Sequence, residues 1–215
     1  MTEIFSDGFE SNNFDAWTGT SGSPSIVEDP VRQGSYAAQA DAAYDYWHKT
    51  ISEQTTFYLR FYFQYSDILY FNAVEVYAGA TKIGTWQPMA DGKMRYIYKN
   101  GGSDEYLPAY AGYAANLQTG EWYCLEIKHT IDGSNGEVEM WLDEVSCGSV
   151  SGKDTNNYGN IDSFRMGRGY GAGTCAITYD SVVAADTYIG PEVVEEGVLG
   201  NRGNLLSIME VMGMI

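Results

Sequence analysis

The chain has 215 residues, of which 44% are hydrophobic, so it can form one packed domain that needs neither disulfides nor a metal. Its 12 lysines and arginines oppose 29 aspartates and glutamates, which gives a formal net charge of −17. A field of that sign repels phosphate backbones, so no nucleic-acid partner is expected. No apolar stretch reaches about 18 residues, so no membrane span is predicted. The N-terminus has no basic region before an apolar run, so no signal peptide is visible.

The first residues, 3–9, form a short apolar stretch, and residues 11–23 are a polar loop with Phe14 and Trp17 as aromatic anchors. Beyond this loop, runs of β-forming residues alternate with turn residues, and almost no helical periodicity is present. The 25 glycines and 18 tyrosines fit turns and strands. This spacing predicts an all-β sandwich or barrel. The predicted strands cover 25–31, 35–40, 44–50, 55–65, 69–77, 82–87, 93–99, 121–131, 137–142, 161–167 and 175–184.

The aromatic run at residues 55–65 gives the clearest core face, because alternate residues of a strand point to the same side. The residues that share this face are Phe57, Leu59, Phe61 and Phe63.

A hairpin is predicted from residues 121–131 and 137–142, which alternate apolar and polar residues on either side of a glycine-rich turn. Matching the apolar faces pairs Ile131 with Val138 and Ile127 with Leu142. This register points Cys124 outward. Cys147 is predicted on the next strand, roughly opposite Met140, and points inward. Together with Cys175 they make an odd number of cysteines, so all three are expected to be free thiols.

The composition changes after residue 190, which predicts a sandwich over 1–190 and a tail over 191–215. The tail reads as a linker followed by a short apolar helix, with Asn204 as its N-cap. Two alternatives remain open: the helix packs on its own sandwich, or it docks on other protein subunits. The residues predicted to form that interface are Leu205, Leu206, Ile208, Met209 and Met212.

Three stretches carry a family resemblance: 7–17, which opens Asp-Gly-Phe-Glu, 121–143 with its two Trp-containing strands, and 177–190. Together they resemble concanavalin A-like lectin/glucanase jelly rolls of the laminin-G-like kind, over about residues 4–190. The resemblance implies an antiparallel two-sheet jelly-roll sandwich. Similar domains occur in phage and viral structural proteins, in bacterial surface proteins and in polysaccharide-degrading enzymes. Where such domains place Asp-Gly in a hairpin, this chain has Asp143-Glu144, so another turn type is expected.

In related jelly rolls a structural calcium ion ties the first strand to the last. The resemblance therefore implies a structural Ca²⁺ as the one cofactor to consider, and carboxylate oxygens suit that ion. The candidate ligands are Asp7, Glu10 and Asp180.

Catalytic groups are sparse in the sequence. Glu137 and Glu139 share a strand face about 7 Å apart, but the Glu-Asp-Glu order of family-16 glycanases is absent, so a hydrated acidic face is the preferred interpretation. Polysaccharide lyases of this fold use Arg, Gln, His and Tyr clusters around an acidic sugar. His129 is predicted to point inward, and a charge of −17 is expected to repel a polyanionic substrate. These residues therefore predict that the protein is not an enzyme.

Carbohydrate binding needs aromatic rings for stacking and nearby hydrogen-bonding groups. The alternative interpretation of the aromatic residues is ordinary strand filler. The residues predicted to bind a glycan are Tyr46, Trp47, Trp86, Arg95, Tyr98 and Tyr110.

The function favoured by these observations is a non-enzymatic structural or adhesion module of a virion or cell-surface assembly, attached to other subunits through residues 191–215. One alternative is a carbohydrate-binding module of an extracellular protein. The other is a glycan-degrading enzyme with an atypical site.

Overall fold

The computed structural model describes residues 1–67, 69–108, 113, 115–171 and 173–192. Within these ranges every regular element is a β-strand. The strands are β1 (Glu3–Asp7), β2 (Gly19–Ser21), β3 (Ser25–Val27), β4 (Ala37–Ala40), β5 (Asp45–Gln54), β6 (Thr56–Tyr65), β7 (Val74–Ala78), β8 (Thr81–Pro88), β9 (Met94–Asn100), β10 (Ser103–Leu107), β11 (Tyr123–Thr130), β12 (Gly136–Leu142), β13 (Val145–Lys153), β14 (Ile161–Arg168) and β15 (Ile177–Ala185).

The strands form two antiparallel sheets. The eight-stranded sheet has the order β13-β12-β11-β6-β15-β4-β3, with β1 also paired to β15. The seven-stranded sheet has the order β10-β9-β8-β7-β14-β5-β2. Strands that are distant in sequence lie side by side in both sheets, as β6 and β15 do, because the chain crosses from one sheet to the other between them. The predicted all-β, antiparallel two-sheet sandwich is confirmed.

The core lies between the two sheets and is dense in aromatic rings. The predicted face of β6 is buried. Each of its four residues is 1% exposed or less: Phe57, Leu59, Phe61 and Phe63. From the opposite sheet, Trp86 packs edge-on against Phe63, with ring centroids 4.7 Å apart. Trp47 meets Tyr179 in the same way at 5.5 Å. Edge-to-face packing of this kind adds to the burial of the rings themselves.

The β11–β12 hairpin has the predicted faces but a different register. Ile127 pairs with Met140 and His129 pairs with Val138, so the predicted pairs Ile131–Val138 and Ile127–Leu142 are wrong. The error is a slip of two residues, which leaves every side chain on its predicted face. Apolar alternation identifies a face and is blind to such a slip, because the side-chain period of a strand is two.

The turn after β12 also differs from the expectation. Asp143 and Glu144 have φ values of 47° and 68°, the pair of positive angles that a type I′ hairpin turn requires. The turn type is therefore kept without glycine. The Asp143 carboxylate accepts the backbone N–H of Cys124 at 2.8 Å, which ties the turn to β11.

All three cysteines are buried free thiols, as predicted. Burial raises the pKa of Cys147 to about 12 and that of Cys124 to about 11. Neither thiol ionises near neutral pH, so they serve as packing residues.

The last described residues cross the outer side of the eight-stranded sheet. The Glu126 carboxylate accepts the backbone N–H groups of Ile189 at 2.8 Å and Gly190 at 2.9 Å. The Tyr62 hydroxyl accepts the N–H of Glu192 at 2.8 Å. These bonds fix the chain against the sheet up to residue 192.

The predicted helix lies outside the described residues, as do its interface residues Leu205, Leu206, Ile208, Met209 and Met212. The division into 1–190 and 191–215 therefore stays a prediction. In the described ranges no helix is long and apolar enough to cross a lipid bilayer.

A histidine lies inside the core. His129 on β11 is buried, which confirms its predicted inward orientation, and its Nδ1 lies 3.2 Å from the Tyr96 hydroxyl. Burial lowers the pKa of His129 to about 4, because the charged imidazolium loses its hydration.

We expect His129 to make the fold acid-sensitive. Its folded pKa lies below the unfolded value of 6.5, so protons bind the unfolded chain preferentially once the pH falls below 6.5. The free energy of unfolding should be unaffected by this group above pH 6.5 and should fall by about 3 kcal/mol between pH 6.5 and 4. Urea unfolding at a series of pH values measures it. His129→Gln is the matched control, and an unchanged pH slope in that variant would contradict the assignment.

Candidate functional site

The polar side chains of the seven-stranded sheet lie mainly on its outward side. Strand pairing aligns one residue from each of six strands in a row across it, with neighbouring strands about 4.8 Å apart. We call this side the polar face. Its central row is His48, Arg165, Glu75, Thr85, Ile97 and Tyr106.

One end of the polar face holds a hydrogen-bonded group that we call the Arg95 cluster: Tyr70, Asn72, Gln87 and Arg95. Gln87 on β8 and Arg95 on β9 are paired across the hairpin. The Arg95 Nε donates to Gln87 Oε1 at 2.7 Å, and its Nη2 donates to the Tyr70 hydroxyl at 3.4 Å. The Gln87 Nε2 donates to Asn72 Oδ1 at 2.7 Å and to the Tyr70 hydroxyl at 3.1 Å. The Tyr70 oxygen thus accepts two hydrogen bonds, which leaves its own proton for a third partner.

Glu75 fixes the direction of these bonds. Its carboxylate accepts Asn72 Nδ2 at 3.1 Å, the Tyr77 hydroxyl at 2.6 Å and Lys82 Nζ at 2.9 Å. Burial alone would raise the pKa of Glu75, but these hydrogen bonds outweigh it and lower the pKa. Because the anion holds the amide nitrogen of Asn72, the amide oxygen of Asn72 must face Gln87.

The Arg95 cluster is bordered by open space. Arg95 is 5% exposed and lies between two rings, with its guanidinium 5.6 Å from the centroid of Tyr70 and 4.9 Å from that of Tyr106. Tyr70 itself is 39% exposed. It lines one cavity of about 600 Å³ together with Arg95, and a second of about 270 Å³ together with Gln87 and Asn72. The tyrosine therefore stands where both cavities reach the cluster.

Two loops hold Tyr70 and Asn72 in place. Phe71 forms an isolated β-bridge with Gly171, and the Asn72 N–H donates to the Tyr170 carbonyl at 3.0 Å. A Cβ on Gly171 would lie 2.4 Å from the Phe71 Cβ, so only glycine permits this approach. The cluster thus depends on a contact between loops about 100 residues apart in the chain.

A second feature of the polar face is the Arg165 stack: Tyr46, Tyr77 and Arg165. The guanidinium of Arg165 lies 4.8 Å from the ring centroid of Tyr46 and 4.4 Å from that of Tyr77. Its side chain is 38% exposed, and its nearest carboxylate contact is to Glu75 at 3.9 Å. Next to it, burial and then the charge of Arg165 lower the pKa of His48, which favours the neutral imidazole.

The polar face concentrates positive charge in an acidic protein. Its cations are Lys82, Arg95, Lys99 and Arg165, and its carboxylates Glu75 and Asp104 are themselves paired with these cations. At its edge, Asp91 lines the larger cavity together with Arg95 and is paired with Lys93. The expected repulsion of a polyanionic substrate by a net charge of −17 stays a prediction. Exposed charges are largely screened beyond about 8–10 Å at physiological salt, so the charges of the face itself act most strongly on a ligand bound there.

The predicted glycan-binding set is divided by the structure. Tyr46 and Arg95 lie on the polar face. Trp47, Trp86 and Tyr98 are each 1% exposed or less and form part of the core, so their predicted role as stacking platforms is wrong. The cause is strand parity, because these three side chains alternate with the outward ones and point between the sheets. Tyr110 lies outside the described residues.

The predicted calcium ligands do not assemble. Among the residues that the structure describes, no three His, Cys, Asp or Glu side chains come together at a metal-sized site. The oxygens of the three carboxylates instead accept N–H groups of neighbouring loops, which fits poorly with ion binding at the same atoms. Asp7 accepts from Phe9 and Trp17, Glu10 accepts from Ser35 and Tyr36, and Asp180 accepts from Arg32 and Gln33.

The acidic strand face of β12 lies on the other side of the molecule. Glu137 forms an ion pair with Lys128, and Glu139 accepts the Ser146 hydroxyl at 3.3 Å. Both carboxylates belong to the outer side of the eight-stranded sheet, away from the cavities at the Arg95 cluster.

Two antiparallel layers with this strand order define a lectin-like jelly-roll sandwich of the concanavalin A type, as the sequence resemblance implied. The outward side of the seven-stranded sheet is the polar face, which carries cations and cavities, an arrangement suited to a carbohydrate.

Solved structures share this fold. The chain is similar to an endo-β-1,4-glucuronan lyase from the fungus Trichoderma reesei, with 13% identity, 86% of this chain and 96% of that chain covered, and a TM-score of 0.64. It is also similar to the cellulose-induced protein Cip1, with 19% identity, 87% and 100% coverage and a TM-score of 0.67. A botulinum neurotoxin receptor-binding domain of mosaic serotype C/D matches at 10% identity, covering 88% of this chain and 48% of that one, with a TM-score of 0.58. No protein-family model and no curated protein matches the chain.

These likenesses correct one prediction. From its sequence the protein was predicted not to be an enzyme, whereas its fold is shared almost end to end with a glycan-degrading lyase. The likenesses show the fold alone, so the assignment to a virion or cell-surface assembly stays a prediction.

Proposed function

We propose that this protein binds a polysaccharide of 4-linked uronic acids on its polar face and cleaves it by β-elimination at the Arg95 cluster. The observation that carries the proposal is a tyrosine hydroxyl held by an arginine and a glutamine at the junction of two open cavities. The shared fold with an endo-β-1,4-glucuronan lyase supports the same reaction class. The cations of the face match the carboxylates of such a substrate.

In this reaction the sugar carboxylate acidifies the C5–H bond, and negative charge builds on that carboxylate as the proton leaves. The charge of Arg95 lies next to the reacting ring and stabilises this negative charge, aided by Lys82 and Lys99 on the same face. Fixed donors at that position need no rearrangement during the reaction.

Tyr70 is assigned the proton transfer. Its oxygen, which accepts the hydrogen bonds from Gln87 and Arg95, takes the C5 proton while its own hydroxyl proton passes to the leaving glycosidic oxygen. The C4–C5 double bond forms as the bond from C4 to the glycosidic oxygen breaks, and Tyr70 is left in its starting state. Atoms and charge balance without water, metal or oxidant.

We expect the protein to release unsaturated products, seen as rising ultraviolet absorbance, from at least one of three 4-linked uronans: β-1,4-glucuronan, alginate or polygalacturonate. Tyr70→Phe should lower the rate by about 10²–10⁴-fold, the usual contribution of a general acid–base group. Tyr188→Phe is the matched control, because Tyr188 is 44% exposed and packs against Trp141 on the outer side of the eight-stranded sheet.

Reducing ends released without ultraviolet absorbance would indicate hydrolysis and overturn the proposal. Absence of product from all three uronans would overturn it as well. A Tyr70→Phe variant with the rate of the unmodified protein would remove Tyr70 from the mechanism.

A further inference from the structure

We infer that the Arg165 stack is a second carboxylate-binding subsite, so that the ligand of the polar face is a polyanionic chain lying across the strands. This inference rests on the function proposed above and adds the direction and minimum length of the bound glycan.

The geometry of Arg165 suits carboxylate recognition. The rings of Tyr46 and Tyr77 lie 4.8 and 4.4 Å from its guanidinium and hold the plane of the group in place. A guanidinium fixed in this way presents its N–H edge to solvent, where it can bind both oxygens of a carboxylate. The side chain is 38% exposed, so a ligand can reach that edge.

The charge of Arg165 is incompletely neutralised by its neighbours. Its contact with Glu75 is 3.9 Å long, beyond hydrogen-bonding distance. Glu75 already accepts three shorter hydrogen bonds, from Asn72, Tyr77 and Lys82. The carboxylate of a ligand could therefore form a shorter ion pair with Arg165 than Glu75 does.

The spacing across the sheet sets the size of the ligand. Arg95 is on β9 and Arg165 on β14, three strand steps apart in the order β9-β8-β7-β14. At about 4.8 Å per step, the two arginines are about 14 Å apart across the strands. Arg95 also lies two residues along β9 from Ile97, the residue in the row of Arg165, which adds about 7 Å along the strand and gives a separation of about 16 Å. One sugar ring bound at Arg95 cannot reach Arg165, whereas an oligosaccharide running across the strands can. Between them lie Asn72 and Glu75, whose polar atoms line the path.

The test compares Arg165→Gln with the unmodified protein on two substrates, a uronan polymer that is cleaved and its trisaccharide. For the polymer, KM should rise by about tenfold with little change in kcat, since one charge-assisted contact to the ground state and transition state is lost. For the trisaccharide, KM should stay the same. Lys128→Gln, on the outer side of the eight-stranded sheet, controls for the change in net charge and should leave both values unaltered.

Equal rises of KM for polymer and trisaccharide in Arg165→Gln would overturn the subsite, as would no rise for either. Co-sedimentation or calorimetric binding of the polymer separates this inference from the proposed reaction. If the unmodified protein binds the polymer without cleaving it, and Arg165→Gln alone weakens binding, the subsite holds and the lyase proposal fails. If cleavage occurs and Arg165→Gln matches Lys128→Gln, the lyase proposal holds and the subsite fails.

Discussion

Arg95→Gln is expected to lower kcat/KM for a cleaved uronan by about 10²–10³-fold, the usual effect of removing a preorganised donor to developing negative charge. The substitution removes the positive charge next to the reacting carboxylate. It also removes the hydrogen bonds that Arg95 gives to Gln87 and Tyr70, so the tyrosine oxygen loses one of its two donors. Initial rates of ultraviolet absorbance at several substrate concentrations measure the effect.

Arg95→Lys separates the charge of this residue from its shape. An ammonium keeps the charge but lacks the planar fork that reaches Gln87 and Tyr70 together, so most of the loss should persist. Thermal unfolding of both variants establishes that the fold is intact. If Arg95→Gln folds normally and cleaves at the rate of the unmodified protein, the Arg95 cluster is not the reaction site.

Trp86→Ala is expected to cost about 3–5 kcal/mol in the free energy of unfolding, the range for deleting a buried large aromatic ring. Trp86 is 0% exposed and packs against Phe61 and Phe63 at centroid distances of 5.6 and 4.7 Å. The cavity left by the indole lies in the centre of the sandwich, where β6 and β8 face each other. Urea unfolding measures the loss.

Trp86→Phe is the matched variant and should cost clearly less than Trp86→Ala. It keeps an aromatic ring in the site and removes the buried indole N–H, which has no hydrogen-bond partner among the described residues. A Trp86→Ala variant with unchanged stability but lost glycan binding would restore the stacking role that the structure denies to this residue.

The fold could be predicted from the sequence because its core pattern is periodic. The alternation at Phe57, Leu59, Phe61 and Phe63 identifies an inner face whatever the partner strands are. Register was out of reach for the same reason, since a slip of two residues between β11 and β12 leaves the pattern intact. The short strands β2 and β10 were missed, because three to five residues with mixed polarity carry little periodic signal.

The candidate site was predictable only in part. Gln87 could have been predicted beside Arg95. The two polar residues lie on opposite strands of the hairpin around Asp91-Gly92 and pair across it. Tyr70 and Asn72 could not, because they lie outside the strands and reach the cluster through contacts with the distant loop at Gly171. Trp47 and Trp86 were predicted to bind glycan because of their ring chemistry. Their side chains occupy the inward-facing positions of their strands, so they are core residues instead.

The anchoring of Ile189 and Gly190 by Glu126 has a practical consequence for handling the protein. It fixes the main chain up to Glu192 on the outer side of the eight-stranded sheet, whereas the polar face belongs to the other sheet. A dye or surface linker joined at position 192 would therefore begin on the far side of the sandwich from the cavities. Such a derivative would leave the polar face turned toward a long polymer that approaches from solution.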